Sequence, residues 1–148
     1  METPREHFWR HALTVFVACV FLYFAGFWGA EQWRAHRGPW VVTFGVETNG
    51  TPVIAVVQPW LGIRDVRFTF PGTNAPGVTT NVTVRFDDPA RAEAAPFGKV
   101  EFLDTTYLPG TVTLVVFGHE IEFLPRTMTV DKREEPWRAG ARFDLPAR

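Results

Sequence analysis

The sequence predicts an all-β domain preceded by one long N-terminal transmembrane α-helix. Residues 12–30 form an apolar run that contains no charged residue, as a membrane-spanning helix does. After Gly38-Pro39, short segments of alternating apolar and polar residues are separated by turn residues, which is typical of β-strands. About seven to eight such strands favour an antiparallel β-sandwich of immunoglobulin-like architecture, with a small barrel as the alternative.

The same two observations divide the chain into three parts. Residues 1–37 are assigned to the helix, residues 38–130 to the β-sandwich domain and residues 131–148 to a charged C-terminal tail. Trp137 and Phe143 are the aromatic residues of this tail. The tail either lies across the sandwich, held by these two rings, or stays mobile until a partner binds.

Composition excludes several classes of function. With 148 residues, of which 46% are hydrophobic and 15% aromatic, the chain has the bulk for a packed core, unlike a disordered segment. Its formal net charge of −1 gives no general attraction to phosphate, so we expect no nucleic-acid partner. Cys19 is the only cysteine, which excludes an intramolecular disulfide and any metal site built from several cysteines.

The apolar run has the length of a membrane span. At about 1.5 Å per residue it covers roughly 28 Å, close to the hydrocarbon thickness of about 30 Å. A cleaved signal peptide is the rival interpretation, but cleavage after Ala30 would put Trp28 where a small residue is required. We therefore predict an uncleaved signal-anchor. A capping box at Thr3 to Glu6 and a stop at Gly38-Pro39 predict one continuous helix from Pro4 to Arg37.

Aromatic residues flank the span at both expected membrane interfaces. Trp9, Trp28 and Trp33 are the candidates for anchoring the helix there. The arginines outside the span are balanced, two on each side, and give no orientation: Arg5, Arg10, Arg34 and Arg37. For an uncleaved N-terminal anchor we expect a cytoplasmic amino end and an extracytoplasmic β domain, periplasmic if the source is bacterial.

Small residues recur along the span and are candidates for helix packing. Such residues let another helix approach closely, and here they are Ala18, Ala25, Gly26, Gly29 and Ala30. This pattern predicts contact with other transmembrane helices, in a homo-oligomer or in a larger membrane complex. The alternative is a helix that faces lipid on all sides.

Asn49-Gly50 is the strongest hairpin signal in the β domain. A two-residue loop there pairs Val46 with Val53 and Phe44 with Ala55, and it also pairs Val42 with Val57. Each of these pairs joins two apolar residues, so the register keeps one continuous apolar face across both strands.

Further strands are predicted at 65–70, 78–86, 99–104, 111–117 and 127–130, with a loop at 87–98. The inward residues of the second of these are expected to be Val78, Val82, Val84 and Phe86. A Gly118-His119 turn would pair Val116 with Ile121, and Leu114 with Phe123. It would also leave His119 exposed to solvent.

No group of residues in the sequence has the spacing of a catalytic or metal site. His119, Glu120 and Glu122 are potential metal ligands, but on a strand His119 faces away from the two glutamates. His7 and His11 share a helix face, where we interpret them as residues of the headgroup region. We therefore predict no catalytic, cofactor-binding or metal-binding residue.

Trp60 and Trp137 are candidates for surface binding. If exposed together they would form a stacking platform for a glycan, and the alternative for both is packing in the core or at its edge. Trp40 belongs to the inward stripe of the first strand and is expected to be buried.

These features lead to one expected function and two rivals. The first is a non-catalytic accessory or scaffold subunit of a membrane protein complex, held by a single span. The alternative is an extracytoplasmic ligand-binding or glycan-sensing module anchored to the membrane. An enzyme ranks last, because it would need chemistry from residues such as His119 and Glu122.

Overall fold

A computed structural model describes residues 4–93 and 95–148, except for the side chains of residues 4–7 and 34. The chain divides into two compact units, with the boundary between His36 and Arg37. The first unit is helical. The second, which we call the β unit, begins at Arg37 and contains all the strands.

The described part of the first unit belongs to one helix, α1, which spans Pro4–Arg37 and therefore ends on the first residue of the β unit. These are the predicted bounds, although Thr3 of the proposed capping box lies outside the described residues. Gly38, with a φ of +68°, takes the left-handed conformation that commonly follows a helix end. All side chains from Phe8 to Phe27 are exposed. In length and composition, α1 meets the requirements of a helix that crosses a membrane.

The β unit contains ten strands in two five-stranded sheets. The strands are β1 Val41–Val46, β2 Pro52–Gln58, β3 Ile63–Thr69, β4 Val82–Arg85, β5 Lys99–Asp104, β6 Thr111–Val116, β7 His119–Phe123, β8 Thr127–Val130, β9 Arg133–Pro136 and β10 Arg142–Asp144. The first sheet has the order β10-β3-β2-β1-β4 and the second β5-β6-β7-β8-β9. Neighbouring strands are antiparallel except β3 and β10, which are parallel.

Alternate residues of both sheets meet in one hydrophobic core. The first sheet contributes fully buried side chains such as Phe44 and Phe68, and the second contributes Leu114 and Phe123. The rings of Phe68 and Phe123 lie 6.2 Å apart, one from each sheet. Because side chains alternate between the faces of a strand, each sheet buries one face and leaves the other to solvent. The prediction of a mostly β unit after a long apolar helix is confirmed.

The predicted register of β1 and β2 is wrong by one residue. Val46 pairs with Pro52 and Phe44 with Ile54, because the loop has three residues rather than two. Glu47 and Thr51 close the loop, and Gly50 adopts a φ of +88°, as in three-residue hairpin loops that end in a left-handed residue. The inward residues of β2 are therefore Ile54 and Val56, not the residues one position later.

The predicted register of β6 and β7 is wrong by two residues. Val116 pairs with His119 and Leu114 with Ile121, because Phe117 and Gly118 form the turn, both with positive φ. A shift of two residues keeps the same face inward. Ile121 and Phe123 are buried as expected, and His119 becomes the first residue of β7 instead of a turn residue.

Two expectations for residues 78–98 also change. Val84 and Phe86 are buried as predicted, but Val82 is exposed and Val78 lies before β4. Val82 is the first residue of a four-residue edge strand, which has a neighbour on one side only. The expected loop contains a short helix, α2, at Pro89–Ala92, whose first turn is capped by the Asp88 carboxylate.

The residues assigned to a charged tail contribute strands to both sheets. β9 continues the second sheet beside β8, and β10 lies against β3 of the first sheet. Phe143 stacks on Phe68 with ring centroids 5.3 Å apart. Of the two alternatives left open for the tail, the structure shows the ordered one.

Candidate functional site

The interface and packing candidates of α1 lie on an exposed helix surface. Trp9, Trp28 and Trp33 are each more than half exposed. A Cβ atom added to Gly26 or Gly29 would meet no atom within 4 Å. Ala18 and Ala25 are exposed and Ala30 is partly covered. The small residues thus leave space along the helix for another backbone.

Gln58 holds the segment at which α1 ends. Its side-chain amide, fully buried, donates to the carbonyl oxygens of Arg37, Gly38 and Pro39 at 3.0–3.2 Å. Its Oε1 accepts from the backbone N–H of Trp60 at 2.9 Å. Gln58 was not predicted from the sequence, because the predicted register of β2 turned Val53, Ala55 and Val57 inward and so placed Gln58 on the outward face.

Trp60 is exposed at the β2–β3 connection. It lies in a short 3-10 helical turn, Pro59–Leu61, which ends at Gly62 with a φ of +72°. The indole is 46% exposed, and the Arg37 guanidinium lies over its ring at 4.4 Å from the centroid. This arrangement is a cation–π contact. Trp60 is therefore partly exposed, with the Arg37 guanidinium over its ring.

Trp137 has a structural role on the side facing the core. Its ring stacks on Trp40 with centroids 5.1 Å apart and lies 5.9 Å from Phe123. Its Nε1 donates to the carbonyl of Leu124 at 2.8 Å. One face and the polar edge of this indole are thus occupied, and the ring closes the core at one end of the β unit. Trp40 is fully buried, as predicted.

His119 is buried rather than exposed, because it begins β7 on the same face as Ile121. Its Nδ1 lies 2.8 Å from Asp131 Oδ2 and its Nε2 lies 2.8 Å from the carbonyl oxygen of Pro146. A carbonyl oxygen and a carboxylate are both acceptors, so both ring nitrogens are used as hydrogen-bond partners. Both ring nitrogens thus face oxygen atoms of the protein.

Asp131 connects three parts of the chain. Its carboxylate accepts from the backbone N–H of Glu120 at 3.1 Å and forms an ion pair with Arg148 at 2.8 Å. Burial raises the pKa of Asp131, but the hydrogen bonds from His119 and Glu120 and the charge of Arg148 outweigh it and hold the pKa below its usual value. The cluster joins the β8–β9 turn to β7 and to the last residues of the chain.

A groove of about 550 Å³ runs between α2 and the edge strand β5. Its lining includes Ala92, Glu93, Lys99, Val100 and Phe102. The groove is lined by charged residues of both signs and by the half-exposed ring of Phe102. None of its described lining residues is a His or a Cys.

Among the side chains that the structure describes, which do not include that of His7, no three His, Cys, Asp or Glu come together as a metal site requires. Three features of the described residues have a defined geometry. They are the exposed surface of α1, the Arg37–Trp60 pair and the His119–Asp131 cluster. Comparison of the chain with protein-family models, with curated proteins and with solved structures gave no match.

Proposed function

We propose that this chain is a single-pass membrane protein whose β unit serves as a non-catalytic accessory or scaffold subunit of a larger membrane assembly. The observation that carries the proposal is the contrast between the two units. The β unit has its own closed core, whereas the apolar side chains of α1 from Phe8 to Phe27 are exposed. Such a surface is stable in lipid or against other helices.

The proposal includes an immunoglobulin-like sandwich and an extracytoplasmic β unit. Two mainly antiparallel sheets around one core support the first. The second rests on the usual orientation of an uncleaved N-terminal anchor. The chemistry of the His119–Asp131 cluster, in which both imidazole nitrogens are engaged, supports a non-catalytic role.

Co-purification tests the proposal. A tagged full-length chain, extracted in mild detergent, should bring down defined partners, either further copies or other membrane proteins. Gly26→Leu and Gly29→Leu place a four-carbon side chain where a helix would approach and should weaken association, while insertion persists because the span becomes more hydrophobic. Leu22→Ile is the matched control. A strictly monomeric chain without partners would contradict the proposal.

A glycan-binding or sensing module is the second candidate, favoured by the exposure of Trp60. The packing of Trp137 against Trp40 weighs against it, since a platform of both indoles would need the two rings exposed. Binding of soluble glycans that disappears in Trp60→Ala, and persists in Trp137→Phe, would favour this candidate over the scaffold.

A further inference from the structure

One end of the β unit, which we call the near end, gathers the connections that surround Trp40. Trp40 Nε1 donates to the carbonyl of Gly110 at 3.0 Å, and Phe86 N–H donates to the carbonyl of Trp40. Hydrogen bonds connect these segments: Gln58 donates to the carbonyl of Gly38, Trp137 to that of Leu124 and Gly140 to that of Arg64. The near end consists of residues 37–40, 59–65, 85–91, 104–110, 124–126 and 137–141.

The near end carries exposed aromatic side chains. Among the described residues of the β unit, the exposed large aromatic residues are Trp60, Phe102 and Tyr107. Trp60 and Tyr107 belong to the near end, whereas Phe102 lies in β5. The opposite end is formed by the hairpin at residues 47–51, by residues 71–81 and by the turns at 117–118 and 131–132. It carries charged residues as well, but among the described residues no large aromatic side chain is exposed there.

Arginines dominate the charge of the near end. Arg64, Arg126 and Arg138 are exposed, and none of the three forms an ion pair with any residue that the structure describes. The guanidinium of Arg37 lies over Trp60 at the same end. The surface thus combines an indole with cationic groups, the combination found at the boundary between water and lipid.

The carboxylates of the near end are largely engaged. Asp65 pairs with Arg67 at 2.7 Å, and Asp87 lies 3.4–3.5 Å from Arg85 and Arg91. Asp88 caps α2, and Asp104 accepts from the N–H of Thr106 at 2.8 Å. The arginines without an ion pair therefore determine which ions the near end attracts.

We propose that the near end rests on the anionic lipid headgroups of the membrane that α1 crosses, with Trp60 in the interfacial layer. The inference rests on the proposed function, because it needs α1 in a bilayer. Arg37 follows the apolar run by seven residues of helix, about 10 Å along the axis. The headgroup layer on each side of a bilayer is about 5–8 Å thick, so chain length alone keeps Arg37, and the Trp60 ring beneath it, close to that layer.

Site-directed spin labelling of the full chain tests this contact. In a Cys19→Ser background, a nitroxide is attached to Pro125→Cys at the near end or to Thr48→Cys at the opposite end. The chain is reconstituted in vesicles of phosphatidylcholine alone, or of phosphatidylcholine and phosphatidylglycerol in equal parts. We expect the Pro125→Cys label to lose accessibility to a water-soluble nickel chelate in the anionic vesicles, while the Thr48→Cys label stays accessible in both.

Removing arginine charges from the near end tests whether the loss of label accessibility depends on attraction to anionic lipid. Arg126→Gln with Arg138→Gln should lower the ratio of docked to undocked chains about 25-fold, since each arginine near an anionic surface contributes about fivefold. The Pro125→Cys label should then become as accessible as the Thr48→Cys label. Equal accessibility of both labels in anionic vesicles before charge removal, or no response to it, would overturn the inference. Alkaline carbonate extraction tests the span separately: release of the chain refutes the proposed function, whereas a retained chain with a water-exposed near end refutes this inference alone.

Discussion

Replacing Gln58 by methionine should destabilise the β unit without changing its shape. The two side chains are unbranched and similar in length, but methionine offers no amide to the carbonyls of Arg37, Gly38 and Pro39 and no acceptor to the N–H of Trp60. Because Gln58 is fully buried, water cannot take the place of its amide from within the core. Gln58→Met is therefore a test of the hydrogen bonds rather than of packing.

The size of the effect follows from the burial of each partner. The bond to the Pro39 carbonyl is buried, and leaving such a group unsatisfied costs about 1–3 kcal/mol. The other bonds are partly buried, and each contributes about 1 kcal/mol net. Burying the methionine side chain returns about 1 kcal/mol. We expect the free energy of unfolding to fall by about 3–5 kcal/mol, and Tm by roughly 15–20 °C.

Near-ultraviolet circular dichroism of the full chain in detergent measures this change, since the stacked rings of Trp40 and Trp137 report on the core. Ile54→Met is the matched control, because Ile54 is fully buried on the same face of β2 and a swap that conserves volume usually costs less than about 1.5 kcal/mol. If Gln58→Met unfolded at the same temperature as Ile54→Met, or within about 2 °C of the unchanged chain, the reasoning would be refuted.

Three further predictions concern the β unit. Gly110→Ala should reduce the free energy of unfolding by more than about 3 kcal/mol, because the φ of Gly110 is +77° and an added Cβ would lie 2.1 Å from a backbone oxygen. Gly50→Ala is the control: the φ of Gly50 is +88° but its surroundings are open, so the substitution should cost about 1–2 kcal/mol. Equal losses of stability in urea unfolding would contradict this prediction. Asp131→Asn should cost about 2 kcal/mol at neutral pH. Since folding lowers the pKa of Asp131, the stability that its carboxylate contributes is fully present above about pH 3.9 and is lost as the pH falls through the lower pKa of the folded state. If the difference in unfolding free energy between the unchanged chain and Asp131→Asn stayed constant down to about pH 2, this explanation would be excluded. Protease added to intact spheroplasts should degrade residues 38–148, and protection until lysis would reverse the proposed orientation.

The helix and most strand positions could be predicted because their signals are local. A run without charges bounded by Gly38-Pro39 defines α1, and the alternation of apolar residues places β5 and β8 at their observed positions. Alternation fixes which face is buried only where one face is apolar, and even in β6 and β7 it did not fix the pairing, which was wrong by two residues. In β2, Val53 and Ala55 are apolar on one face and Ile54 and Val56 on the other, so alternation could not choose between them and the loop length decided.

The polar clusters depended on contacts between distant parts of the chain. The predicted register placed Gln58 on the outward face of β2, and its carbonyl partners near Arg37 follow only from where α1 ends. His119 was expected in a turn, because the choice of Phe117 and Gly118 for that turn depends on backbone conformations with positive φ at both positions. Asp131 and Arg148 carry no local signal at all, since they meet only after the second sheet and the last residues have come together.

The parallel pairing of β3 with β10 sets the order in which this protein can mature. Thr69 and Asp144 are 75 residues apart, and contacts across such long separations in sequence form slowly. During synthesis α1 is made before the β unit, and the edge of β3 stays open until β10 has been made. The growing chain therefore carries an uncovered strand edge until its last residues are added, and such an edge is prone to aggregation.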